Sequence, residues 1–323
     1  MAELIASFLS LVLIVCAIDL LIRLIGRIRG EKLPTTRKLF AGMAISSAIA
    51  IVITLTITFA MMLTGVLDAM FYRPSGRDFA RDLGVEAAPE EVAFASEDGT
   101  ALHGWFLAAK NAKGTVVHLH GSDRNITYTA ANAAWLTQRG YNVFAFDYRG
   151  YGQSGGSPSR RGVVDDSLAA IEYIASREGA GPIALWGQSM GGQLAIVAAA
   201  RADSPEVRAV IAEATYSNHS LHVQDKMASI GPLWVLQWAG WLLTSDSLSA
   251  APVIGELDAP VLLVHGTADT AVDPAHSERL YERASEPKEL WIIEDERHLT
   301  IFGQEFHRDR LGQYLDSLMT PAE

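Results

Sequence analysis

The chain has 323 residues, 49% of them hydrophobic, and a formal net charge of −11 from 26 Lys and Arg against 37 Asp and Glu. That balance excludes a nucleic-acid binder, which needs a basic surface, and the single cysteine, Cys16, excludes an intrachain disulfide framework. The length accommodates one large domain or two, and the hydrophobic excess sits at the N-terminal end.

Residues 4–22 are apolar except for Ser7, Ser10 and Asp19, and residues 39–66 contain no charge. About 20 apolar residues cross a bilayer, so both runs are expected to be transmembrane helices. Met1-Ala2-Glu3 lacks the basic start of a secretory signal, and a second apolar run follows the first, which argues against cleavage. Between the runs stand Arg23, Arg27, Arg29, Lys32, Arg37 and Lys38 against Glu31. Positive loops stay cytoplasmic, so both termini are expected outside, and everything after Tyr72 in the periplasm if the host is a bacterium. Asp19, costly within a membrane, is expected to pair with Arg23 near the cytoplasmic interface. Residues 1–72 thus read as an anchor, and the Arg, Asp, Gly and Pro content of 73–90 as a linker.

Residues 91–96 and 101–108 flank Glu97-Asp98-Gly99-Thr100, the pattern of a hairpin with an Asp-Gly turn. Strand-like and helix-like segments then alternate at 115–120, 130–138, 141–146, 163–176, 182–186, 193–201 and 207–212. After an interruption they resume at 260–265, 276–283, 289–293 and 307–318. An antiparallel start followed by β-α alternation implies a mostly parallel sheet with helices on both faces. Ligands of such sheets collect at the carboxyl ends of the strands, so the reactive residues that follow strands are the candidates.

The first is Gly187-Gln188-Ser189-Met190-Gly191, between a buried strand and an alanine-rich helix. A nucleophile on so sharp a turn needs glycine neighbours, and the helix N-terminus behind it offers the Met190 N–H to a developing oxyanion. After 115–120 comes Gly121-Ser122, whose N–H groups are positioned to complete an oxyanion hole. The other two are His265-Gly266-Thr267-Ala268-Asp269 and Glu294-Asp295-Glu296-Arg297-His298. Asp273 competes with Asp269, but Asp273-Pro274 reads as a helix cap and first turn. Asp295 reads as a loop residue, and His307, the rival of His298, as a surface residue of the last helix. His118 and His120 read as structural groups that fix the loop after their strand. They have no accompanying carboxylate or histidine cluster, so no metal site is expected.

These motifs resemble the α/β-hydrolase superfamily: His118-Leu119-His120-Gly121, Asp147-Tyr148-Arg149-Gly150-Tyr151-Gly152, the Gly-x-Ser-x-Gly-Gly turn, His265-Gly-x-x-Asp269, and the chain order Ser189, Asp269, His298. From about residue 91 to the end, the chain is most similar to the membrane-anchored, serine-aminopeptidase-like branch. The resemblance implies an α/β-hydrolase domain over 91–323 with a short cap at about 215–253. It also implies cofactor-free hydrolysis of an ester, thioester or amide by a Ser189–His298–Asp269 triad, with Met190 and Ser122 N–H groups as the oxyanion hole. Arg297 departs from the small residue usual before the histidine. Within the cap, 230–243 carries Trp234, Trp238 and Trp241 at helical spacing, suited either to core packing or to an apolar wall for an acyl chain or the nearby bilayer. The expected activity is that of a membrane-anchored serine esterase or thioesterase acting on a small-molecule or lipid-like acyl substrate. A peptidase or amidase of the same fold, or a catalytically silent membrane-bound scaffold, are the alternatives.

Overall fold

The computed structural model describes residues 71–85, 88–229 and 244–319, with isolated positions at 20, 21, 25, 41, 42, 44–49, 52, 56, 237 and 240. The expected transmembrane runs, the basic loop between them and the tryptophan segment of 230–243 lie outside the described residues apart from those positions. No helix among the described residues is long and apolar enough to cross a membrane. The chain divides into two units, one comprising Phe71–Asn218 and Asp246–Glu323, the other Met1–Met70 and His219–Ser245.

In the larger unit, strands β2 (Glu90–Ala95), β3 (Ala101–Leu107), β4 (Gly114–Leu119), β6 (Tyr141–Asp147), β7 (Ile183–Gln188), β8 (Val207–Glu213), β9 (Val261–Gly266) and β10 (Lys288–Ile293) form one sheet in the order β10-β9-β8-β7-β4-β6-β3-β2. β3 pairs antiparallel with β2 and β6, and all other pairs are parallel. Strands β4, β6, β7 and β9 are buried along their whole length, as near-continuous apolar runs must be when helices cover both faces. The edge strands β2 and β10 alternate in exposure and carry Glu90, Glu91, Lys288 and Glu289, charges that discourage pairing with another sheet.

Seven helices connect these strands or follow them among the described residues: α1 (Ile126–Thr129), α2 (Arg160–Ala175), α3 (Met190–Ala199), α4 (His219–Ser229, in the smaller unit), α5 (Ala250–Val253), α6 (Ala275–Arg283) and α7 (Glu305–Met319). Ser159 caps α2, its hydroxyl accepting from Gly162 N–H at 3.1 Å. Where 130–138 suggested a single helix, the chain winds as α1 and two 3₁₀ stretches, Ala130–Asn132 and Ala134–Arg139. Asn125 opens this segment by accepting from Thr127 N–H, and Gly140 at φ 85° ends it.

The core lies on both sheet faces. On one, Trp186 packs edge-on against Phe302 and Trp135, with Leu262, Val264, Leu311 and Leu315 around them. On the other, Phe94, Phe144, Phe146 and Tyr173 form a ring cluster with centroids 5.3–6.0 Å apart. His307 is not the surface residue expected: it is 8% exposed. It stands at the head of the stripe His307, Leu311, Leu315, Met319, whose four-residue spacing turns one face of α7 to the core.

The stretch expected as a linker begins with regular structure. Arg73–Pro74 form a short strand, β1, paired in parallel with β5 (Asp123–Arg124), and Asn125 Nδ2 donates to Ser75 O and Arg77 O just after it. A linker composition does not prevent this, because the pairing uses backbone groups alone.

Arg149, in the turn after β6, joins three elements. Its guanidinium bonds Asp166 of α2 at 2.7 Å, Asp98 of the β2–β3 turn at 2.8 Å and Ser96 Oγ at 3.0 Å. Asp166 is fully buried, so removing the guanidinium strands a carboxylate in the interior. Arg149→Ala is expected to cost about 3–5 kcal/mol, read as a lowered midpoint of denaturant unfolding.

Candidate active site

The sheet reverses its winding between β4 and β7: from β4 the chain moves to β6 on one side, then returns to β7 on the other. The crevice at such a switch point is where ligands of open α/β sheets bind. The turn after β7 and the loop after β4 meet there.

Ser189 occupies the turn between β7 and α3 with φ 56° and ψ −116°, a strained conformation for a residue with a side chain. Its neighbours explain how the strain is held. A Cβ on Gly191 would lie 1.9 Å from Leu119 O, one on Gly187 2.0 Å from Gly191 O, and one on Gly192 2.7 Å from Thr215 Cβ. Only glycines allow β7, α3 and the end of β4 to approach so closely. Ser189 N–H donates to Glu213 O at 2.8 Å, and Ser189 O accepts from the Thr215 hydroxyl at 2.8 Å and from Gly192 N–H at 3.0 Å.

Asp269 follows β9 and His298 follows β10, and the structure brings them together: His298 Nδ1 lies 2.7 Å from Asp269 Oδ2. Nδ1 donates to the carboxylate, which leaves Nε2 as a bare lone pair. The other carboxylate oxygen accepts from Ala271 N–H at 2.8 Å and Val272 N–H at 3.0 Å. A second histidine flanks Asp269. His265 Nε2 is 3.0 Å from Val272 O, a pure acceptor, and 3.2 Å from Asp269 Oδ2, so Nε2 carries the proton and Nδ1 accepts from Ser277 Oγ at 2.7 Å. Burial pushes the Asp269 carboxyl up, but the bonds from His265 and His298 outweigh it and hold the group well below the usual carboxylate range. Asp273 instead accepts from Ala275 N–H at the start of α6, and Asp295 sits in the exposed loop at φ 59°. Among the described residues no hydrogen bond joins Ser189 Oγ to His298; nucleophile–base bonds commonly tighten only when substrate arrives.

The two expected oxyanion donors share one local logic. In a trans peptide the N–H points opposite the preceding carbonyl. Gly121 O is held by His120 Nδ1 at 2.6 Å, which turns Ser122 N–H the other way; Ser189 O is held by Thr215, which does the same for Met190 N–H. Gly121 itself lies against Ser189, a Cβ built on it falling 3.6 Å from Ser189 Cβ. His120 O accepts from Tyr148 Oη at 3.2 Å and Ser122 O from Tyr151 Oη at 2.9 Å, so the Asp147-Tyr148-Arg149-Gly150-Tyr151 turn braces this loop. His120 acts as expected of a loop-fixing residue. His118 bonds Gln188 Oε1 at 3.2 Å instead, and burial lowers the pKa of both histidines, that of His118 to about 4, so both are neutral at neutral pH.

Beneath the turn lies a polar network that the motif reading had not singled out. Gln188 Nε2 donates to Glu213 Oε2 at 2.7 Å, and Gln188 Oε1 accepts from Asn132 Nδ2 at 2.8 Å. Glu213 is fully buried at the end of β8, with no hydrogen-bond partner for Oε1 among the described residues. Burial pushes its carboxyl up to about 7; the bond from Gln188 opposes this and the Asp269 charge adds to it. A lone buried glutamate after an apolar strand was the available signal, since burial without a cation partner favours the neutral acid.

This raised value has a stability consequence. Between the ordinary value of 4.5 and about 7 the folded protein keeps a proton on Glu213 that the unfolded chain releases, so stability falls as pH rises through that window. Glu213→Gln keeps an acceptor for Gln188 and removes the titration. Denaturant unfolding at pH 5 and pH 8 is expected to show that wild type loses about 2.5 kcal/mol more than the variant over this range.

Comparison with known proteins fits this geometry. The family described as Serine aminopeptidase, S33 matches residues 110–255 and 249–305. The uncharacterized protein YfhR of Escherichia coli K12 is 33% identical over 261 residues, covering 78% of this chain and 88% of that protein. The α/β hydrolase domain-containing protein WAV2 of Arabidopsis thaliana is 28% identical over 211 residues, covering 61% and 67%. Among solved structures, the Pyrococcus furiosus esterase Pf2001 superposes with a TM-score of 0.61 at 25% identity, covering 77% of this chain and 98% of that one. With its sheet order, its strained serine turn and this match, the chain belongs to the serine aminopeptidase (S33) family of α/β-hydrolases.

Proposed function

We propose that the protein is a membrane-anchored serine hydrolase that cleaves an acyl ester or thioester through Ser189, His298 and Asp269. The observation that carries this reading is the 2.7 Å contact between His298 Nδ1 and Asp269 Oδ2, in a chain whose serine sits on a strained, glycine-flanked turn. His298 Nε2 takes the Ser189 proton as Oγ attacks the carbonyl, and the anionic oxygen is received by the Met190 and Ser122 N–H groups. His298 then returns the proton to the leaving group, and water repeats the sequence on the acyl-enzyme. Asp269 holds the imidazole in the required tautomer and stabilises its cation.

An amide substrate is the second reading, because the family's description is that of an aminopeptidase. The ester reading ranks first on the likeness to the Pf2001 esterase and on the absence from the sequence of a dedicated acidic pair for a peptide terminus. Anchoring and an extracytoplasmic hydrolase domain rest on the apolar runs at 4–22 and 39–66 and the basic loop between them.

Detergent-solubilised protein is expected to hydrolyse p-nitrophenyl esters and to label with a fluorophosphonate, and Ser189→Ala to lose labelling and at least about 10³-fold in kcat. Turnover of aminoacyl p-nitroanilides but not esters would select the amide reading; full cellular function in Ser189→Ala would select a silent scaffold. A C-terminal reporter that works only outside the cytoplasm is expected to be active, and its inactivity would refute the orientation.

A further inference from the structure

Residues 71–81 follow the second apolar run in the chain and precede the first strand of the main sheet. They are nevertheless bound along their length to the segment that begins with the oxyanion loop. Phe71 and Tyr72 are buried at 2% and 5% exposure. Arg73 N–H donates to Ser122 O at 2.8 Å and is 3.1 Å from Tyr151 Oη, which itself donates to Ser122 O. Asn125 Nδ2 donates to Ser75 O at 2.7 Å and Arg77 O at 2.9 Å, and Gly152 N–H to Ser75 O at 3.1 Å. Phe79 N–H reaches Thr127 Oγ1 at 3.0 Å, and Arg81 Nη1 reaches Asn132 Oδ1 at 2.9 Å. Through Asn132 the last of these bonds continues to Gln188, the residue before Ser189.

The Ser122 carbonyl therefore receives two donors, one from a backbone outside the sheet and one from the Tyr148–Tyr151 turn. A carbonyl that receives two donors, themselves joined by a hydrogen bond, resists rotation of its peptide plane, and the carbonyl of the plane before it is held by His120 Nδ1. We propose that residues 71–81 are a strap that positions the oxyanion loop, with Arg73 N–H and the Tyr151 hydroxyl as its clamp on Ser122. Arg73 and Tyr151 are positioning residues: they act on the transition state only through the direction of the loop's N–H groups. The inference rests on the reading of Ser189 as nucleophile for its kinetic consequence, and on the hydrogen bonds alone for its structural one.

The test uses the full-length protein in detergent, with kcat and KM on a p-nitrophenyl ester and amide hydrogen exchange of residues 119–125. Arg73→Pro removes the N–H donor and Tyr151→Phe the hydroxyl. Each is expected to lower kcat about 10-fold with KM within about twofold and to speed exchange in the loop, while the melting temperature shows whether the fold is kept. Arg73→Ala, which restores the N–H to the proline variant, is expected to recover kcat and protection. If Arg73→Pro fails to fold, Tyr151→Phe decides. Folded variants with wild-type kcat, or with slowed turnover but unaltered exchange, overturn the strap. If wild type turns over no ester while loop exchange still responds to both variants, the proposed activity fails and the clamp stands.

Discussion

The close approach of three backbones at the carboxyl end of the sheet is the constraint from which the rest of the site follows. The Leu119 carbonyl lies where a Cβ on Gly191 would be, and the Gly191 carbonyl where one on Gly187 would be. Without that contact β7 could not turn into α3 within a single residue, and Ser189 would have no reason to adopt φ 56°. Strain of this kind persists only where the surroundings over-determine it. Here they do so through Glu213 O and Thr215 Oγ1, which hold the Ser189 backbone from the neighbouring strand and the residues just after it.

Electrostatics divides the carboxylates at the ends of two adjacent strands. Asp269 collects two backbone N–H groups and two imidazoles, and its charged form is favoured despite burial. Glu213, one strand away, has a single amide donor and is pushed toward the neutral acid. The two residue types differ by one methylene, so the environment, not the side chain, sets which is the anion. The Asp269 charge itself adds to the upward push on Glu213, so the two carboxyls are driven apart in opposite directions.

Side chains that touch no substrate in the proposed mechanism do much of the remaining work. His120 and Thr215 hold the carbonyls that precede the Ser122 and Met190 N–H groups, and His265 is a second imidazole beside Asp269 Oδ2. Thr215 is hydroxylic and burial favours the neutral form of His120, so these two hydrogen bonds add no net charge to the buried turns.

The succession of strands along the chain, the serine turn and the candidate stations Asp269 and His298 were legible from the sequence because each is encoded within a few consecutive residues. Apolar runs mark the strands, glycines mark the turn, and reactive residues follow the runs directly. The four-residue stripe of His307, Leu311, Leu315 and Met319 was equally local, and reading it would have placed His307 inside. What only the tertiary structure decided are pairings between residues far apart in the chain, Arg73 with Ser122 and Asn132 with Gln188, and the upward push on the Glu213 carboxyl. These depend on which backbone groups and which apolar walls arrive beside them when the sheet closes. Hydrogen bonding to a backbone carbonyl leaves no mark in residue type, and a carboxylate's burial is a property of its neighbours, so neither is written in the local sequence.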